Sequence, residues 1–134
     1  MEPSFLLDTH ILVRWLMEPR KLSQAQRRAI EKAERDGKPV ALCTVSLMEI
    51  AVLASEVKPR LSIRLSDFLE AIQANPFFQL MPLTFEIAAE IASLGGTLRD
   101  PVDRAIVATA RVHRLRLVTS DQRIFDSKLA AVVE

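Results

Sequence analysis

The sequence predicts an α/β protein, a parallel sheet of four or five strands held between two layers of helices. Three observations carry that expectation. The short apolar runs SFLL (4–7), VALCTV (40–45), FQLMPL (78–83) and LRLVT (115–119) do not alternate polar with apolar residues, as suits strands covered on both faces. Segments of helical periodicity separate them, the order expected of parallel βαβ units. A chain of 134 residues can bury a real core, so residues 1–134 are read as one domain.

Each element has its own local signal. The first strand stops at Asp8, after which Ile11, Leu12, Trp15 and Leu16 recur at helical spacing. Residues 23–36, SQAQRRAIEKAERD, form a helix with a polar face, capped by Ser23 and ended by Gly37. The second strand leads into the apolar helix SLMEIAVLAS. A polar break, EVKPRLS, precedes a helix over 66–74, with Pro76 beyond it. After the third strand Thr84 caps the helix FEIAAEIASL, which Gly95 and Gly96 terminate. A helix over 101–113 follows, then the fourth strand, and AAVV near the C-terminus offers a fifth.

Bulk composition narrows the function classes. Hydrophobic residues make up 49% and charged residues 26%, an ordinary globular balance. The formal net charge is +1, so nucleic-acid binding would have to rest on a local basic patch. The single cysteine, Cys43, excludes an internal disulfide and a multi-cysteine zinc site. In its apolar run it reads as a small buried side chain. The opening MEPSFLLDTH has an early acid and too short an apolar run for a signal peptide. No stretch reaches the ~18 apolar residues of a membrane span, so a cytoplasmic protein is expected.

The acids raise the functional question. Asp8 follows the first strand and Asp121 the fourth, Glu49 lies on the helix after the second, and Asp100 and Asp103 open the helix before the fourth. Ligand crevices of such sheets lie at the carboxyl ends of the strands. Capping accounts for each acid singly: Asp8 and Asp121 for the helices after them, Asp100 as an N-cap before Pro101, and Ser46-x-x-Glu49 as a capping box. It does not account for the set. Glu49 is the only charge in VSLMEIAVLA, and Asp103 heads an apolar stripe through Ile106, Val107 and Ala110.

A buried, unpaired carboxylate costs several kcal/mol, so it needs a partner, a proton or a metal. Two carboxylates ~4 Å apart repel by about 4 kcal/mol at an effective dielectric of ~20. A cluster without His or Cys ligands suits Mg²⁺ or Mn²⁺ rather than zinc, and a phosphoryl-transfer site.

The motifs LLDTHILVRWL, SLMEIAVL, RDPVDRAIVATA and LVTSD, in this order and spacing, resemble PIN-domain ribonucleases, and within them the VapC toxins of bacterial toxin–antitoxin pairs. The resemblance runs from about residue 4 to residue 126. It implies a PIN-like three-layer α/β/α sandwich and Mg²⁺- or Mn²⁺-dependent endonucleolytic cleavage of RNA. Asp8 and Asp103 would be metal ligands, with Glu49 and Asp121 completing the site directly or through water. Asp100 competes with Asp103 for the third position. Thr9 and Thr119 would support the acids. His10, where many relatives have Asn or Ser, reads as a helix-start or substrate-rim residue. The resemblance further implies a cognate antitoxin over the groove and a homodimer.

Six arginines crowd the C-terminal third, and Arg99 and Arg104 are the two expected at the groove rim, toward RNA phosphates. Trp15, Phe77 and Phe78 are expected to pack. An aspartyl-phosphate mechanism fits poorly. A haloacid-dehalogenase-like site would want an acid where His10 stands, and a receiver-like site wants an acidic pair after the first strand and a Lys after the last. The remaining alternative is a PIN-like scaffold that binds RNA or protein without cutting.

Overall fold

The computed structural model describes residues 2–56 and 63–134. Five strands form one sheet: β1 (Phe5–Leu7), β2 (Val40–Cys43), β3 (Phe78–Met81), β4 (Arg116–Val118) and β5 (Val132–Val133). Their order is β3-β2-β1-β4-β5 and all pairs are parallel. Leu6 pairs with Ala41 on one side and Leu117 on the other, so β1 is central. The helices are α1 (Thr9–Met17), α2 (Gln24–Arg35), α3 (Thr44–Ala54), α4 (Leu65–Gln73), α5 (Phe85–Ser93), α6 (Pro101–His113) and α7 (Gln122–Ser127).

Side chains alternate across each strand, so each strand feeds two cores. Phe5, Leu7, Val40, Leu42 and Val118 join Ile11, Ile30, Ile50 and Phe68 on one face of the sheet. Leu6, Ala41, Cys43 and Leu117 join Ile87, Ile106, Val107 and Ile124 on the other. Every residue of β1 and β2 is buried, which is why those runs show no polar alternation. Cys43 packs within the second core. Trp15 meets Phe77 and Phe78 edge-on, with centroids 5.3 and 5.5 Å away, and all three pack against the first core.

Local signals set most helix ends. Ser23 caps α2 in a full capping box with Gln26, and Gly37 follows with φ +65°. Thr84 caps α5, and Asp100 caps α6 with Pro101 at its first turn. Several features depart from the sequence reading. β3 ends at Met81 rather than at residue 83, and its central Gln79 and Leu80 are exposed rather than covered. β2 ends at Cys43 rather than at residue 45, because the chain turns into α3 at the sheet edge and Val45 packs against the second core. A single 3-10 turn, Pro19–Lys21, follows α1. The six-residue α7 is too short to show periodicity. The polar break expected over 56–62 lies, except for Glu56, outside the described residues. Among the described residues no helix is long and apolar enough to cross a membrane.

Candidate active site

The topology determines where the acids meet. From β1 the chain moves outward to β2 and β3, then crosses to β4 on the other side of β1. A crevice opens at such a reversal, beyond the carboxyl ends of the central strands. Here it is a cleft of about 390 Å³, lined by Asp8, Glu49, Asp100, Asp103 and Asp121 among others. All five acids singled out in the sequence come together.

Asp8 extends the ladder by one bond, its N–H donating to the Val118 carbonyl at 3.0 Å. Its side chain is nearly enclosed. One oxygen caps α1 through the Thr9 N–H at 2.8 Å, and the other accepts from the Thr119 hydroxyl at 2.6 Å. Thr119 also accepts from the Asp121 N–H at 3.0 Å, so one hydroxyl couples the acids that end β1 and β4. The Thr9 hydroxyl instead donates to Ser46 Oγ, at 2.8 Å.

His10 stands beside Asp8. Its Nε2 accepts from the Ser120 N–H at 2.9 Å, which leaves the proton of the neutral ring on Nδ1, 3.5 Å from Asp8 Oδ2. Burial pulls the imidazole below its ordinary pKa, against the raising effect of Asp8.

The five acids divide by what else they do. Asp100 caps α6 through the Val102 and Asp103 N–H groups, at 2.9 and 3.0 Å. Asp121 caps α7 through the Arg123 N–H. The Arg123 guanidinium lies 2.9 Å from Asp121 Oδ2 and holds that carboxyl below its usual range. Glu49 caps nothing. Helix α3 begins two residues before Ser46, which removes the capping-box explanation. Asp103 also lacks a capping role, and its side chain is only 13% exposed. Burial pushes its carboxyl up to about 7, reinforced by the charges of Asp100, Asp8 and Asp121 and opposed by Arg123. Among the described residues its one cation contact is Arg123 Nη2, at 3.4 Å.

The basic residues fall differently from expectation. Arg104 does not reach the rim: its guanidinium donates to the carbonyls of Ile91, Gly95 and Leu98, tying the end of α5 to α6. Arg99 is exposed but is not among the cleft's lining residues. Arg14, Lys21 and Arg123 line the cleft in their place. Arg14 lies on the α1 face that carries His10, a helical spacing visible in the sequence. Lys21 owes its place to the 3-10 turn, which left no periodic signal.

The comparisons agree with this fold. A PIN domain family model matches residues 5–128. Ribonuclease VapC22 of Mycobacterium tuberculosis (strain ATCC 25618 / H37Rv) is 35% identical over 120 residues, 89% of this chain and 88% of that protein. Two solved structures share the fold. VapBC2 from Rickettsia felis, bound to a DNA fragment from its promoter, superposes with a TM-score of 0.72 at 14% identity, covering 98% of this chain and 97% of that one. FitAcB from Neisseria gonorrhoeae gives 0.66 at 23% identity, covering 97% and 96%. With its parallel sheet, its acids at the strand ends and a family match over most of its length, the chain belongs to the PIN-domain family.

Proposed function

We propose that the protein is the endoribonuclease toxin of a toxin–antitoxin pair, hydrolysing RNA phosphodiester bonds at the acidic cleft with Mg²⁺ or Mn²⁺. The observation that carries this is Asp103, a largely buried carboxyl that no backbone group requires, raised to about 7 by burial and by three neighbouring acids. An acid placed at such a cost to the fold supports reading the cleft as a cation site.

The donor set fits Mg²⁺ or Mn²⁺. It is all oxygen, from Asp8, Asp103, Glu49, Asp121 and Asp100, and it opens to solvent in the cleft. Among the described residues no group of three or more His, Cys, Asp or Glu side chains is placed to hold a metal ion by itself. One or two of these carboxylates would therefore bind the ion, with water and phosphate oxygens completing its coordination. Asp8 and Asp103 would hold it, the other acids acting directly or through water. When bound, the ion supplies Lewis-acid stabilisation of charge developing on the phosphate oxygens. Thr119 holds Asp8 in place, and one of the remaining carboxylates orients the attacking water. Arg14, Lys21 and Arg123 at the rim offer cations to the RNA backbone.

The relative named as a ribonuclease supports the activity, and the VapBC and FitAcB neighbours support an antitoxin as partner. A homodimer and a cytoplasmic location belong to the same reading. The test is cleavage of an end-labelled, structured RNA by antitoxin-free protein in Mg²⁺, Mn²⁺ or EDTA. Metal-dependent cutting is expected. Tight binding of RNA without cutting in any of the three would favour a silent scaffold instead.

A further inference from the structure

The buried amide of Gln26 is more than a helix cap. As the third residue of α2 it completes the capping box, its Oε1 accepting from the Ser23 N–H at 2.9 Å. The box uses only that oxygen. Gln26 is 1% exposed, so its NH₂ group also needs a partner. It finds one 94 residues away, donating to Ser120 Oγ at 2.8 Å. A glutamate would complete the box and suit the helix dipole better. At this depth, however, it would bury a charge.

Ser120 is gripped from three directions. Its hydroxyl oxygen accepts from Gln26 and, at 3.1 Å, from Arg14, while its N–H donates to His10. Its chain neighbours are Thr119, which donates to Asp8, and Asp121, whose N–H returns to Thr119. Neither Gln26 nor Ser120 is among the cleft's lining residues. We infer that Gln26 and Ser120 form a latch that positions the loop between β4 and α7, and through it Thr119 and Asp121 against Asp8. They are positioning residues, remote from the reacting atoms. The kinetic consequence rests on the nuclease reading above, and the structural one does not.

The test is native-state amide exchange on the full chain without metal or RNA, paired with cleavage kinetics on an RNA the wild type cuts. Ser120→Ala removes the latch and leaves the Ser23–Gln26 box intact, whereas Gln26→Met removes the latch and the side-chain half of the box, keeping the bond from the backbone N–H of residue 26 to Ser23 Oγ. Both variants should speed exchange at Ser120 and Asp121 by about tenfold, and Ser120→Ala should leave the β1 and β2 amides unchanged. In cleavage both should lower kcat several-fold with KM held. The double variant should be no slower than Gln26→Met alone, because the two residues form one link. Ser120→Thr, which keeps the hydroxyl, should restore both readouts. Wild-type exchange in Ser120→Ala, or multiplying losses in the double variant, would overturn the latch. If the wild type cuts no RNA, the nuclease reading fails and exchange alone decides the latch.

Discussion

Asp100 and Asp103 open the same helix three residues apart, yet their carboxylates live under different conditions. Asp100 is exposed, and one oxygen takes the two N–H groups that the first turn of α6 would otherwise leave unpaired. Asp103 is largely buried, caps nothing, and faces Asp100, Asp8 and Asp121, offset among the described residues by Arg123. The same contrast separates Asp8 and Asp121, which cap α1 and α7, from Glu49, which sits on an apolar helix. Acids of the first kind stabilise the fold whatever the site does. Those of the second kind have no capping role, and the proposed site would account for them.

Substitution at each position should therefore split activity from stability. The largest effect falls on Asp103→Asn, which removes the charge and keeps the shape. RNA cleavage should drop by about 100-fold or more, since a proposed metal ligand is lost, without any fall in melting temperature. A variant that cut RNA at the wild-type rate would move the third ligand to Asp100. Asp100→Ala should show the opposite pattern. Losing an N-cap costs ~1 kcal/mol, which in a chain of this size lowers the melting temperature by about 3–5 °C. Cleavage should fall less than in Asp103→Asn, and Asp100→Ser, another good cap, should recover the stability.

The pH dependence sharpens the contrast without mutation. The folded Asp103 carboxyl binds its proton more tightly than its ordinary 3.8 allows, with a value near 7. Its protonated form is thus favoured by folding. That stabilisation is complete at acid pH and is lost as pH rises through about 7. The metal-free melting temperature should decline over that window, and Asp103→Asn should flatten the decline. The smallest effect belongs to Arg123, whose guanidinium bridges Asp103 and Asp121. Arg123→Gln should raise Mn²⁺ affinity by about threefold, measured by calorimetry, because an exposed counter-charge no longer competes with the ion.

Much of this architecture was legible in the chain. Runs such as LV and VALC announce buried parallel strands because they are short, apolar and without polar alternation. Ser23, Thr84 and the Asp100–Pro101 pair announce helix starts because capping is local chemistry. The acids were legible for a topological reason: residues just after parallel strands, or in the first turns of helices that start there, gather at the carboxyl end of the sheet. What was not legible depends on orientation or distance. That Arg104 turns back to three carbonyls, while Arg14 and Lys21 reach the cleft, depends on how α5 and α6 meet and on the turn at Pro19–Lys21. The link from Gln26 to Ser120 spans 94 residues and has no periodic signature.

The central claim is that Asp103 is kept for a cation at the expense of the metal-free fold. Thermal unfolding of wild type and Asp103→Asn at about pH 8, each with EDTA and with Mn²⁺, tests it most directly. In EDTA the variant should melt about 2–4 °C above the wild type. Mn²⁺ should then raise the wild type and leave the variant where it was. A variant that melts lower in EDTA and still gains stability from Mn²⁺ would contradict the account, and would make Asp103 an ordinary structural residue.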